Sequence, residues 1–374
     1  MNSIEIFSGA GGLAKGLELA GTKHQAFIEW NAYACNTLRM NYNRDIIFQG
    51  DVRDFDFANY KNKDVDIIAG GPPCQPFSLG GKAKGNDDER DMFPAAIAAI
   101  RTLMPKAFIF ENVKGLLRDS FAEYFRFIIL QLTYPEVEFN SEDWRENFSV
   151  LQTIDKNQSY NGMTYDVTYK LVNAADYGVP QKRERVIIVG FRSDLNIKWS
   201  FPKQTHSEDA LLWDKYVTGD YWKHHHIENP ESEDMCKEMS NQLIERYGMW
   251  PPEHKPWRTM RDAFEGIGEP NGHGEHSLRE GARAYPGHTG SNIDEPSKTI
   301  KAGGHGVPGG ENTVLLPDGT IRYLSVLEAK RIQTFPDDYI ITGAWGEAMR
   351  QLGNAVPVHL AYVVGDSVIK AINV

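Results

Sequence analysis

Cysteine is scarce. Cys35, Cys74 and Cys236 are the three in 374 residues, at irregular spacing. That excludes a disulfide scaffold and suits free thiols in a reducing, cytoplasmic setting. No stretch approaches the ~20 apolar residues needed to span a bilayer. Met1-Asn2-Ser3-Ile4-Glu5-Ile6 runs straight into a strand-like pattern, with no basic region or cleavage site of a secretory leader. Positive charge is short: Lys+Arg 40 against Asp+Glu 51, a net charge of −11. This disfavours a generic nucleic-acid binder but allows positive charge confined to one cleft. Histidine is nearly missing from the first 200 residues, where His24 stands alone.

What is present is a thiol in an unusual setting. Cys74 lies in Gly70-Gly71-Pro72-Pro73-Cys74-Gln75-Pro76-Phe77-Ser78, directly after the apolar stretch Val65-Asp66-Ile67-Ile68-Ala69. Three prolines around one residue exclude a core strand. The thiol is therefore expected at the end of a buried strand, where open α/β sheets bind their ligands. A thiol fixed there has the position of a nucleophile.

The rest of the first 190 residues alternates strands and helices: Ser3–Phe7, Leu13–Leu19, Ala26–Ile28, Ala32–Met40 capped by Asn31, Ile46–Phe48, Val65–Ala69, Met92–Leu103 and Ala107–Phe110. This βαβαβ order predicts an α/β, doubly wound, Rossmann-like and mostly parallel sheet. The polar stretch Gly80 to Arg90 reads as a lid after the thiol turn. Residues 119–165 read as an insertion holding a helix, Phe121–Leu132, and Val186–Gly190 as a late strand. From about 196 the chain turns rich in Gly, Pro, His and Trp, which predicts a smaller, loop-built domain. The expected division is 1–195 as the catalytic and cofactor domain, 196–321 as a second domain, and 322–374 returning to the first. His224-His225-His226 lacks the spacing of a metal site and reads as a solvated loop, with no metal expected.

Phe7-Ser8-Gly9-Ala10-Gly11-Gly12 joins the first strand to the first helix, where glycines let the backbone approach a ligand. Glu29 ends the next strand, where a ribose hydroxyl would be bound. Asp51 follows the third strand and has the position to accept from an adenine amino group. A nicotinamide cofactor and S-adenosylmethionine both satisfy this pattern. Glu111-Asn112-Val113 follows the strand Ala107–Phe110, so its carboxylate should project from the same edge as Cys74. A thiol beside a carboxyl group without a histidine base does not suit acyl transfer. It suits attack on a pyrimidine: hydrogen bonding or proton donation at N3 lets a thiolate add at C6, and C5 then attacks an electrophilic methyl. Arg183 and Arg185, in Gln181-Lys182-Arg183-Glu184-Arg185, would share one strand face. They would serve either a base carbonyl and a phosphate or an ion pair with buried carboxylates.

Together these runs resemble the cytosine-C5 DNA methyltransferase family. The resemblance extends through Arg322-Tyr323-Leu324-Ser325 to Gln333-Thr334-Phe335-Pro336 and Gly353-Asn354-Ala355-Val356-Pro357, all in the family's order. It implies a DNA (cytosine-5-)-methyltransferase of the modification type, with Cys74 as nucleophile on C6 and Glu111 on N3 and the exocyclic amine. Arg185 would sit on O2 and Arg183 would brace the site. It implies S-adenosylmethionine as cofactor, in a pocket lined by Phe7, Gly9, Gly11, Leu13, Glu29, Trp30, Asp51, Val52, Pro73, Asn354 and Val356. It also implies that 196–321 recognises double-stranded DNA. Candidate contacts there are Arg283, His288, Ser291, Lys298, Thr299, Lys301 and His305, with Gln75 or Ser78 filling the gap left by a flipped cytosine. No obligate protein partner is evident, and a monomer is expected. The alternatives are a tRNA cytosine-C5 methyltransferase, a catalytically silent DNA-binding regulator and a nicotinamide oxidoreductase.

Overall fold

Strand segments rich in Ile, Val and Phe collect into one sheet. Its strands are β1 (Asn2–Ile6), β2 (Lys23–Glu29), β3 (Ile47–Gln49), β4 (Val65–Gly70), β5 (Ala107–Val113), β6 (Tyr165–Asn173) and β7 (Glu184–Arg192). The order is β3-β2-β1-β4-β5-β7-β6. β1 pairs in parallel with β2 and β4, β2 with β3, and β4 with β5, whereas β7 runs antiparallel to β5. β4 and β5 are buried along almost their whole length, as strands covered on both faces must be. The computed structural model describes residues 1–73, 91–158, 160–283, 289–302 and 312–373.

The chain divides into two compact units. One comprises Met1–Val172, Glu184–Pro202 and Ala361–Val374, the other Asn173–Arg183 and Lys203–Leu360. The second unit thus starts earlier than a boundary at 196 and takes in 322–360.

In the first unit, helices α1 (Gly12–Leu19), α2 (Ala32–Asn41) and α3 (Phe93–Leu103) connect the parallel strands. The Asn31 side chain caps α2 by accepting from Tyr33 and Ala34 N–H, as its position before an apolar run predicts. Strand order reverses at β1, with β2 on one side and β4 on the other, so the carboxyl ends of β1 and β4 flank the switch point. There Ile6 pairs with Gly70. A Cβ on Gly70 would meet Ile6 O at 2.1 Å, so only glycine fits.

Residues 119–165 are not a separate insertion. They form α4 (Ala122–Thr133) and α5 (Trp144–Asn157). Phe127, Phe148 and Leu151 are buried in the main core, with Trp144 packed against it. The sequence reading missed α5 because most of its surface is polar, yet Asp143 caps it and Trp144 packs edge-on to Tyr124. It also missed β6.

The second unit is less loop-built than its composition suggests. Helices Glu208–Tyr216, Asp220–His224, Glu233–Tyr247 and Met260–Phe264 all fall within 196–321. Their core is mostly aromatic: Tyr221, Trp222 and Trp257 pack with Leu211 and Ala175. One stretch among the described residues, Trp345–Ile372, has the length and apolarity to cross a membrane, against the sequence expectation that none does. It breaks between Asn354 and Val358 into two helices and is half buried, which fits core packing.

Gly70→Ala is expected to destabilise the protein by about 1–3 kcal/mol or more, because the added methyl collides with backbone rather than a movable side chain. Urea unfolding of the two proteins measures this directly.

Candidate active site at the carboxyl edge of the sheet

The turn after β1 is built from left-handed residues: Phe7 has φ +52°, Gly9 +54° and Gly11 +85°. Phe7 is a non-glycine residue in that region, a strain of about 1–3 kcal/mol that the surrounding packing must hold. The space above Gly9 is open. Glu29, at the end of β2, fixes the turn: one carboxylate oxygen accepts from Gly9 N at 2.7 Å and the other from Asn31 N at 2.8 Å. Trp30, the next residue, is 78% exposed. Such a large apolar surface at a strand end suits a flat ring. Leu13 and Val52 are buried.

Asp51 is engaged by its own neighbour. Both its oxygens are taken by its neighbour Arg53, at 2.9 and 2.6 Å, and those hydrogen bonds hold the carboxyl below the usual carboxylate range. An adenine amino group would have to share or displace Arg53, which is exposed. Cys35, behind this pocket, is buried. Burial, then the Glu29 charge, pushes its thiol up to about 11, which keeps it protonated and non-nucleophilic at neutral pH.

Cys74, Gln75, Ser78 and the expected lid 80–90 lie outside the described residues, but the turn leading to Cys74 does not. Pro72 O accepts from Asn112 Nδ2 at 2.9 Å, and Pro73 O accepts from Met92 N at 3.2 Å. The turn is thereby anchored to β5 and to the start of α3. Glu111 is within β5, not after it. Its carboxylate nonetheless reaches the same turn: a Cβ on Gly71 would stand 3.3 Å from Glu111 Oε2. Its Oε1 is 2.5 Å from Arg185 Nε, with the side chains only 11% and 12% exposed. Arg185 is opposite Val113 and Glu111 opposite Ile187, so the two are diagonal neighbours on one face. Chemically, the pair sets an acceptor beside a planar donor, which matches the edge of a heterocycle carrying both kinds of group.

Arg183 has partners of a different kind. It precedes β7, in the second unit, and is fully buried. Its guanidinium donates to Gly353 O at 2.7 Å, Ala355 O at 3.0 Å and Ile300 O at 3.2 Å. Gln181 Oε1 accepts from Ile300 N at 3.1 Å, and its Nε2 donates to Gln333 Oε1 at 3.1 Å. Gln181 and Arg183 thus brace three sequence-distant segments by satisfying their buried backbone, which a charged donor does strongly. The sequence reading did not single out Gln181 or Gln333. Within the braced segment Asn354 is exposed and Val356 buried.

Of the recognition candidates, Arg283, Lys298 and Lys301 are exposed. Thr299 Oγ1 donates to Lys182 O at 2.8 Å. Ser291 is buried and its hydroxyl accepts from Lys298 N, so it holds its own loop and presents no hydroxyl to a groove. His288 and His305 lie outside the described residues. In the His224–His226 run, His224 and His226 are exposed as expected, but the His225 side chain is only 7% exposed and meets Asp262.

The sheet order, with its one antiparallel strand, is an α/β methyltransferase fold. It is similar over 98% of this chain and 97% of the other to the crystal structure of the S. pombe Dnmt2 methyltransferase, at 16% identity and a TM-score of 0.58. Sequence comparison is more specific. The model of the C-5 cytosine-specific DNA methylase family matches residues 1–136 and 145–370, so most of the presumed insertion belongs to the family pattern. The chain is 33% identical to type II methyltransferase M.NgoMIV of Neisseria gonorrhoeae, across 99% of this chain and 97% of that protein. It is also 33% identical to type II methyltransferase M.PspPI of Psychrobacter sp. (strain TA137), across 99% of this chain and 79% of that protein. The chain belongs to the C-5 cytosine-specific DNA methylase family and is a DNA cytosine-C5 methyltransferase.

Arg185→Ala leaves the Glu111 carboxylate buried without its partner and is expected to cost about 3 kcal/mol of stability. Removing both side chains should cost less than the sum of the single losses. A double-mutant cycle by urea unfolding gives both numbers.

Proposed function

We propose that this enzyme modifies cytosine in double-stranded DNA as a type II modification methylase, with Cys74 as nucleophile and Glu111 and Arg185 holding the base. The observation that carries the reading is the position of Glu111. Its Oε2 lies against Gly71, three residues before the thiol, while its Oε1 is paired with Arg185.

The cofactor is S-adenosylmethionine, and the residues at the ends of β1 and β2 fit it. Glu29 places a carboxylate where ribose hydroxyls would lie, the exposed Trp30 indole offers a face for adenine, and the open space at Gly9 in the left-handed Gly9–Gly11 turn a seat for the amino-acid end. Phe7, Leu13, Asp51, Val52 and Pro73 complete the candidate lining within the first unit. When bound, the cofactor supplies an electrophilic methyl group.

The protein's own part begins with a cytosine taken out of the stack, at a cost of a few kcal/mol. Cys74, as thiolate, forms the S–C6 bond. Glu111, in its carboxylic-acid form, donates its proton to N3 while its other oxygen accepts from the exocyclic amine, so that the electron pair from the new bond is taken up by the ring. Arg185 donates to O2. The electron pair displaced toward C5 makes that carbon the nucleophile. Once C5 is methylated, water takes its proton, the C5–H electron pair restores the C5=C6 bond, the C6–S bond breaks and the thiolate is regenerated. Arg183 is a positioning residue in this scheme: it touches main chain and no reacting atom.

The second unit would recognise the DNA. Exposed Arg283, Lys298 and Lys301 would supply guanine-edge or phosphate contacts, with Thr299, His288, His305, Gln75 and Ser78 as further candidates. Such local positive charge on an acidic body gives binding that weakens steeply with salt. Acting as a monomer in the cytoplasm, the enzyme would have direct access to bacterial or phage DNA.

Incubation with methyl-labelled S-adenosylmethionine and either duplex DNA or tRNA tests the reading. Label is expected in DNA cytosine; label confined to tRNA, or none, would replace it with the RNA or silent alternative. Cys74→Ser should abolish transfer. Glu111→Gln should lower kcat by about 10²-fold or more with cofactor affinity nearly unchanged, measured by single-turnover kinetics and equilibrium binding.

A further inference from the structure

The second unit holds a cluster that methyl transfer does not use. Helix Asp220–His224 ends at His225, whose backbone N–H bonds back to Tyr221 O, and His226 then adopts φ +53°. This left-handed exit turns the His224 and His225 rings edge-to-face, 4.8 Å apart. Asp262, in the first turn of helix Met260–Phe264, faces them. The donor atoms of His224, His225 and Asp262 all lie within 4.8 Å of one another.

The contact between His225 and Asp262 is informative. Nε2 is 2.9 Å from Asp262 Oδ1, and Asp262 acts on the ring both as a charge and as a hydrogen-bond partner. A separation of about 3.0 Å is what two ligand atoms about 2.1 Å from one ion subtend at roughly 90°. The His224 donor stands farther off than the roughly 3.4 Å between neighbouring ligands of a tetrahedral ion. Its ring is exposed and free to rotate that distance.

The supporting contacts resemble those around metal ligands, whose outer partners fix their orientation. Asp262 Oδ2 accepts from Thr259 N at 2.6 Å and from Thr259 Oγ1 at 3.0 Å. That leaves Oδ1 turned to the histidines. Thr259 Oγ1 is itself 3.1 Å from the Tyr221 hydroxyl, which donates to Asp294 at 2.8 Å. Tyr221 also packs edge-on to His225, centroids 4.7 Å apart. Asp294 is held bidentately by Arg261 at 2.6 and 3.0 Å. Each group around the pair is fixed by another.

We propose that His224, His225 and Asp262 bind a borderline divalent transition metal of the Zn²⁺ class, clamping helix Asp220–His224 to helix Met260–Phe264 in the recognition unit. Two imidazoles and one carboxylate select Zn²⁺, Co²⁺ or Ni²⁺ over Mg²⁺, which demands oxygen ligands. The remaining coordination positions take water. The site's role is to stiffen the recognition unit and is separate from methyl transfer.

The test uses the full-length protein, stripped with chelator and dialysed. Titration with Zn²⁺ followed by calorimetry, and with Co²⁺ followed by visible absorption, should each saturate at one equivalent. Thermal unfolding should shift upward with Zn²⁺ but not with Mg²⁺. His225→Phe keeps the ring packing on Tyr221 and removes the donor nitrogen; His224→Ala changes an exposed side chain. Both should keep the metal-free unfolding temperature near the parent value while losing the one-equivalent transition and the Zn²⁺ shift. Absence of binding in the parent protein would overturn the proposal. So would undiminished binding in His225→Phe, which would assign the metal to other histidines.

Discussion

The register between β1 and β4 governs the catalytic unit. Ile6, Gly70, Phe110 and Ile188 form one row across four strands, and Gly70 leaves no room for a side chain at its centre. With that row fixed, the glycine turn after Ile6 and the proline turn after Gly70 leave the sheet from adjacent positions. Glu111 is the first residue of β5 beyond the row. Parallel pairing makes this possible, because it brings two strand ends and their loops to one edge, where antiparallel neighbours would send them to opposite edges.

Antiparallel β7 supplies what the parallel strands cannot. Running against β5, it delivers its beginning to the edge where β5 ends, so Arg185 reaches Glu111 from the next strand. Withdrawing a carboxylate and a guanidinium from water together is costly, and a hydrophobic pair of similar shape would often be as stable. The buried pair and the positive φ of Phe7 are therefore both local costs to the fold. Both depend on the rigid core of Ile, Phe and Ala side chains behind them.

The nucleus of the fold was legible because β1, β4, β5 and β7 are short apolar runs bounded by turn residues, and Asn31 marks a helix start. The limits were physical. Helix α5 has a largely polar surface and declares itself only when Trp144, Phe148 and Leu151 find Tyr124 and Phe127. The Gly- and Pro-rich stretch from 196 concealed helices such as Glu233–Tyr247, which buries little besides Leu243. Arg183 and Arg185 looked equivalent by two-residue spacing, but the strand begins only at Glu184. Arg183 instead meets carbonyls 117 to 172 residues away, a distance no local pattern encodes.

The sequence alone determined the chemistry on offer: a thiol among prolines, a carboxylate at a strand end, a glycine turn followed by an acidic residue, and their order along the chain. Those are local properties, set by backbone stiffness, turn preference and apolar periodicity. Tertiary structure decided which groups work together. Only the sheet register brings Glu111 to Gly71 and Arg185, only the buried brace commits Arg183 to the carbonyls of Ile300, Gly353 and Ala355, and only helix packing sets His225 against Asp262. Each pairing joins residues far apart in the chain, and their proximity comes from burying the surfaces between them.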